Sequence, residues 1–161
     1  MSKKDKILSS AMSISALLDE ALKLAARAAS EDEVPVGAVI VHDGKIIGRG
    51  YNRREQDQSP LAHAEVLAIT EASQVLGSWR LLDCTLVVTL EPCPMCLAAC
   101  QQARVKEVIY GASDAKGGAL SLGYRLHEDS RSNHRFSVSQ HTSTECSQIL
   151  KEFFSNKRVK T

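Results

Sequence analysis

No stretch of this chain approaches the ~18 consecutive apolar residues of a membrane-spanning helix, and the expectation is a protein with no membrane partner. An excess of one charge is also missing. Twenty Lys and Arg face 19 Asp and Glu, for a net charge of +1. A surface basic enough to attract nucleic acid as a whole is thereby excluded, and any contact with a polyanion must be a local patch. Repeats, low-complexity tracts and linkers are absent too, so the reading is a single domain over residues 1–161. A domain of this length buries about 70% of its unfolded surface without disulfides. Five cysteines are an odd count that does not suggest a disulfide framework, and their use fits a reducing compartment. Lys3, Lys4 and Lys6 before residues 7–18 imitate a secretory signal, but Ser9, Ser10, Ser13 and Ser15 interrupt the stretch. It then runs into Asp19-Glu20 without a clear cleavage site. The expected location is the cytoplasm.

Helical and strand signals alternate along the chain. Leu17, Leu18, Ala21, Leu22, Leu24, Ala25 and Ala28 form the apolar stripe of a first helix, closed by Glu31-Asp32-Glu33. Residues 36–41 and 45–50 read as two strands joined through Asp43-Gly44, a strong hairpin signal. A helix over 64–76 stops at Gly77. Residues 85–90 are a buried strand, 94–103 a helix, 105–111 a strand and 135–140 a weaker strand. Thr142-x-x-Glu145 is a capping box for a last helix through Phe153, Phe154 and Lys157. A hairpin followed by helix–strand–helix–strand implies an α/β fold, a mixed sheet with helices on its faces.

Two motifs carry the chemistry. His63-Ala64-Glu65 opens one helix, and Pro92-Cys93-Pro94-Met95-Cys96 opens another. Cys93 and Cys96 are three apart and can grip one ion from a single helix face, while proline suits the first helical position. First-turn side chains lean toward the N-terminus, so His63 and Glu65 can converge beyond the helix end. One imidazole and two thiolates make three zinc ligands, which leaves a corner of the tetrahedron for water, as in catalytic rather than structural sites. Glu65 is then read as a general acid/base beside zinc-bound hydroxide. A purely structural zinc knot has no use for that carboxylate. Cys84, Cys100 and Cys146 are read as small buried hydrophobes.

The spacing resembles the H-x-E…P-C-x-x-C signature of zinc nucleobase deaminases. Over nearly its whole length the chain is similar to the bacterial tRNA-specific adenosine deaminases of the cytidine deaminase-like superfamily. Residues 34–39, Tyr51-Asn52-Arg53, Arg80-Leu81-Leu82-Asp83, residues 111–119, Asn133-His134-Arg135 and Phe153-Phe154 carry the likeness beyond the metal motif. The resemblance implies a three-layer α/β/α architecture with a mixed five-stranded central sheet. It also implies hydrolysis of the wobble adenosine of a tRNA anticodon stem-loop to inosine, in a homodimer. Carried over residue by residue, His63, Cys93 and Cys96 would bind one Zn2+ per chain and Glu65 would shuttle protons. Asn52 would hydrogen-bond the flipped nucleoside, with Val36 against the base and Ala64 at its edge. Asp114, Lys116 and His134 would lie along the RNA path. Plainer readings stay open at this point: Asn52 as a turn residue, Val36 as strand core, Asp114 and Lys116 as a surface turn, and His134 as a structural histidine. Ser113 stands where the family often has arginine, which removes a possible phosphate contact. Arg53, Arg54, Lys116, Lys157, Arg158 and Lys160 are the candidate basic patch, with Phe153 and Phe154 beside it. The runner-up function is a free-base deaminase acting on guanine or cytosine. A partner subunit with a dead site is opposed by Glu65.

Overall fold

The computed structural model describes residues 12–160. Lys3, Lys4, Lys6 and the start of the signal-like stretch lie outside the described residues, as does the side chain of Lys160. Helix α1 (Ile14–Ser30) is followed by strands β1 (Gly37–His42) and β2 (Lys45–Tyr51), helix α2 (Ala64–Leu76) and strand β3 (Thr85–Leu90). Helix α3 (Pro94–Ala103), strand β4 (Glu107–Ala112), a short 3-10 turn (Leu126–Glu128), strand β5 (Ser137–Gln140) and helix α4 (Thr144–Lys160) complete the order. The strands form one mixed sheet in the order β2-β1-β3-β4-β5. β1 is antiparallel to both β2 and β3, whereas β3, β4 and β5 run parallel.

Strand alternation sorts the core into two layers. Ala38, Ile40, Leu86, Val88, Val108 and Tyr110 point to one face and pack with Ala64, Ala68 and Ala72 of α2 and with Leu97 and Cys100 of α3. Their neighbours Val39, Val87 and Ile109 point to the other face, where Leu17 and Leu18 of α1 and Cys146 of α4 cover them. Side-chain period two and helical period 3.6 thus meet in a three-layer α/β/α stack. Cys84, Cys100 and Cys146 are fully buried in these layers, in keeping with their reading as small hydrophobes.

The hairpin turn takes positive φ at both Asp43 (50°) and Gly44 (74°), the type I′ geometry that suits strand twist. Gly48 and Gly50 serve a different need. A Cβ at either would overlap the α2 backbone at Ala68 and Ala64 respectively, so β2 and α2 touch main chain to main chain. That contact sets the height of the α2 N-terminus against the sheet, and with it the position of His63 and Glu65.

Several boundaries move by a residue or two. Val36 precedes β1, Val105 precedes β4 and β5 begins at Ser137. The cap of the last helix is a correction: the hydroxyl that accepts from the Cys146 N–H is Ser143, not Thr142. The reason is tertiary. The Ser143 N–H donates to Gly111 O at 3.0 Å, which places that residue at the helix entry.

Candidate active site

Two helix N-termini meet at the end of the sheet where β3 delivers the chain. His63 is the N-cap of α2, in extended backbone (φ −81°, ψ 149°), so its imidazole projects beyond the first turn. Cys93 is the N-cap of α3 (φ −71°, ψ 169°), with Pro94 at the first helical position. Cys93 and Cys96 therefore converge as a cap and its N3 residue rather than as two residues of one regular face. The His63 Nδ1 atom lies 3.5 Å from Cys96 Sγ and 3.7 Å from Cys93 Sγ. A tetrahedral zinc with bonds of ~2.0–2.3 Å requires ligand atoms roughly 3.5–3.8 Å apart. Both His63–sulfur distances meet that spacing, and the ligand atoms of all three residues lie within 4.8 Å of one another. Cys84 and Cys100 contribute nothing to the cluster. Neither belongs to the His63, Cys93 and Cys96 group whose ligand atoms converge, and burial pushes the Cys84 thiol up to about 11 and raises Cys100 further still.

The electrostatics divide the two cradle thiols. Hydrogen bonds from Cys96 and His63 hold the Cys93 thiol down at about 4, against the opposing cost of burial. The same bond to Cys93, together with burial, raises Cys96, and the bond to Cys93 raises His63. Helix macrodipoles favour negative charge at both N-termini. Glu65, in the first turn of α2, is 4% exposed. Burial pushes its carboxyl above the ordinary carboxylate range, offset in part by its own backbone N–H and by Cys96. A carboxyl poised to accept and return a proton is the general acid/base environment expected there.

A cavity of about 250 Å³ opens onto this group, just below the ~300–1,000 Å³ usual for small-molecule pockets. His63, Glu65 and Cys93 form its floor, and Val36, Asn52 and Ala64 line it as well. Glu91, Asp114 and Gly117 also contribute to its wall. Asn52 is 9% exposed; its Nδ2 donates to Val34 O and its Oδ1 accepts from the Arg54 N–H. The side chain thus shapes its turn and still keeps one N–H for the cavity. The Ala64 N–H, first in α2, has no intrahelical acceptor. Asp114 lines the cavity with its loop, while its Oδ1 accepts from the Lys116 and Gly117 N–H groups in an Asx-type turn.

Two of the sequence candidates do not reach the cavity wall. Lys116 is exposed on the turn. His134 is bound elsewhere: its Nε2 lies 2.7 Å from Val105 O, and its ring stacks on Phe136 at 5.7 Å. Among the basic candidates, Arg53 is engaged internally, with Asp57 at 3.1 Å, Glu31 at 3.5 Å and the Tyr51 hydroxyl at 2.7 Å. Arg54 lines the cavity. Arg54, Asn52 and Val34 also line an adjoining cleft that reaches Phe153, Phe154 and Lys157 of α4, where Lys157 pairs with Asp32 at 2.9 Å.

Glu33 and Glu91 are the residues that sequence reasoning passed over. Glu33 is 1% exposed and accepts from the Glu55 and Gln56 N–H groups, tying the loop after Asn52 to the end of α1. Glu91 does the same for the loop after Asp114. Buried carboxylates whose partners are mainly backbone N–H groups of remote loops leave little residue-type signal, although their places directly before Val34-Pro35 and Pro92-Cys93 could have drawn notice.

Comparison with known proteins gives a consistent picture. The family model described as MafB19-like deaminase matches residues 12–158. A tRNA-specific adenosine deaminase of Streptococcus pyogenes serotype M1 is 47% identical over 138 residues, 85% of this chain and 81% of that protein. A solved structure from a study of A-to-I editing by tRNA:A34 deaminases at the wobble position superposes with a TM-score of 0.79 at 42% identity. That match covers 83% of this chain and 98% of the other. The guanine deaminase of Bacillus subtilis superposes at 0.62 with 35% identity, over 89% and 95% of the two chains.

Proposed function

Because the chain belongs to the MafB19-like deaminase family and stands with its tRNA-specific adenosine deaminases, we infer that it hydrolyses the wobble adenosine of a tRNA anticodon to inosine, releasing ammonia. The observation that carries this reading is the three-donor cradle with a buried carboxylate beside it, on the floor of a cavity sized for one base.

His63, Cys93 and Cys96 would hold one Zn2+ per chain. When bound, such an ion lowers the pKa of water at its open position to about 7. The remaining work falls to the chain. Glu65 takes one proton from the attacking water and gives it to the ring nitrogen, then takes the remaining proton from the newly added hydroxyl and passes it to the departing amine as the carbonyl forms. Adenosine and water thus become inosine and ammonia without a net proton. The spare Asn52 N–H and the Ala64 N–H are donors for acceptors on the nucleoside, and Val36 offers an apolar wall to the base. Asp114 braces its part of the wall through its turn. Neither Lys116 nor His134 touches the cavity, and both are assigned to the outer RNA path. The reacting base must leave its stack, and an anticodon loop presents unpaired bases at low cost.

The reading includes a homodimer in the cytoplasm. Leu61, Leu122 and Tyr124 are 59%, 49% and 51% exposed. Leu61 precedes the metal-site helix, and the other two follow the loop end at Ser121. A second chain would cover such apolar side chains. The basic tail reaches the cleft beside Asn52 and Arg54, so removal of residues 156–161 should weaken tRNA binding. It should also reduce the salt slope, by roughly 0.7 for each single-strand phosphate that the tail neutralises, with zinc content and dimer mass unchanged. Titrations at several salt concentrations and light scattering check this; an unaltered slope removes the tail from the RNA surface, and a monomeric mass removes the dimer.

One observation favours a second reading, free-base deamination: the 35% identity to a guanine deaminase. Ammonia release separates the two. An anticodon stem-loop with adenosine at the wobble position should turn over, and free guanine, adenine and cytosine should not. Turnover of guanine with none of the stem-loop would move the chain to the second reading.

A further inference from the structure

We propose that Glu91 is a positioning residue for the reaction. Its buried carboxylate latches the 114–121 loop to the turn that carries Cys93, and so fixes the part of the cavity wall formed by Asp114 and Gly117. The inference rests on the cavity being the nucleobase site.

Glu91 is 3% exposed, directly after β3 and two residues before the metal-binding cysteine. Oε1 accepts from the Asp114 N–H at 3.1 Å and from the Ser121 hydroxyl at 2.7 Å, and Oε2 accepts from the Ser121 N–H at 2.9 Å. One carboxylate therefore grips both ends of a loop that contains Asp114 and Gly117, two cavity-lining residues. Main-chain bonds reinforce it: Ala119 N–H donates to Pro92 O, and Glu91 N–H donates to Ala112 O, both at 2.8 Å. Gly118 passes so close to the carboxylate that any Cβ there would overlap Glu91 Oε2. The loop is built around this side chain.

The chemistry of the latch is selective. Three donors aimed at two oxygens require an acceptor-only group, and bonds to an ionised acceptor are roughly twice as strong as neutral ones. Glutamine has nearly the same shape but must present an NH2 to one of those donors. At the Oε2 position it would face the Ser121 N–H, and at Oε1 the Asp114 N–H. Either way one loop N–H loses its acceptor and meets a donor instead, which weakens the latch at that end. Aspartate keeps both acceptors but is a methylene too short to meet both ends.

The test compares full-length, zinc-loaded wild type with Glu91→Gln, Glu91→Asp and Ser121→Ala. Amide hydrogen exchange over residues 113–121, zinc content, and steady-state deamination of an anticodon stem-loop are measured. The expected result for Glu91→Gln is unchanged zinc, exchange across 113–121 faster by roughly tenfold or more, and KM raised about tenfold with kcat within about threefold, the pattern of weakened uniform binding. Ser121→Ala, which keeps the carboxylate and loses one donor, should move exchange and KM the same way by less. It also keeps the test open if Glu91→Gln does not fold. Glu91→Asp should fall between wild type and Glu91→Gln. A lower melting temperature with wild-type exchange and KM would make Glu91 merely structural and overturn the proposal, as would a collapse of kcat at unchanged KM. If wild type itself fails to turn over the stem-loop, the substrate reading falls, and the exchange measurement alone then decides whether Glu91 latches the loop.

Discussion

Replacing Glu65 by alanine should leave a folded, zinc-loaded protein that binds tRNA as tightly as wild type and makes inosine at least ~10²–10⁴-fold more slowly, the usual size of a general acid/base contribution. The expectation follows from the place of the side chain. It is buried in the first turn of α2, beside the cradle and on the cavity floor, and is not one of the three clustered donors. Single-turnover assays on a stem-loop, paired with metal analysis and binding titration, separate the possible outcomes. Near-wild-type rates would show that the carboxylate only decorates the helix start. Loss of zinc together with activity would make it a ligand.

The other large effect belongs to the metal. Cys96→Ala should reduce zinc from about one equivalent per chain, the count set by a three-ligand site, to a trace, with inosine formation abolished alongside. Chelation of the wild type should do the same, and re-addition of zinc should restore the activity. Cys84→Ala should retain full zinc at a stability cost of roughly 1 kcal/mol, typical of a point substitution, because its thiol is buried elsewhere in the sheet layer and is not among the clustered donors. A Cys84→Ala variant without zinc, or a Cys96→Ala variant with it, would contradict the assignment. Metal analysis of protein purified without added zinc reads both.

The contrast between Glu65 and Glu91 shows what the sequence exposes and what it hides. His63, Glu65, Cys93 and Cys96 are legible because metal and proton chemistry restrict residue type and spacing together. The hairpin at Asp43-Gly44 is legible because few residues accept two positive φ angles in succession. The apolar alternation of β1, β3 and β4 foretells both faces of the sheet. Glu91 and Glu33 stay hidden, since their partners are mostly backbone N–H groups of any residue type, with the Ser121 hydroxyl added for Glu91, all brought near only by the fold. Asp114 is half legible: the sequence places it in a turn, and only the structure shows that the turn occupies its side chain and still walls the cavity. For His134 the bond to the Val105 carbonyl and the stack on Phe136 depend on β5 lying beside β4, a tertiary fact with no local signal. Ser143 displaces Thr142 as the cap for the same reason, because Gly111 O holds it in place.

The central claim is hydrolysis of a wobble adenosine at the His63–Cys93–Cys96 centre with Glu65 as proton carrier. It is tested most directly by incubating purified wild type and Glu65→Ala with an unmodified tRNA pool and sequencing the products for adenosine-to-inosine changes. The expected result is inosine confined to the first anticodon position, formed by wild type and not by the variant. Inosine scattered over other positions, its absence with zinc-loaded wild type, or equal yields from the two proteins would contradict the account.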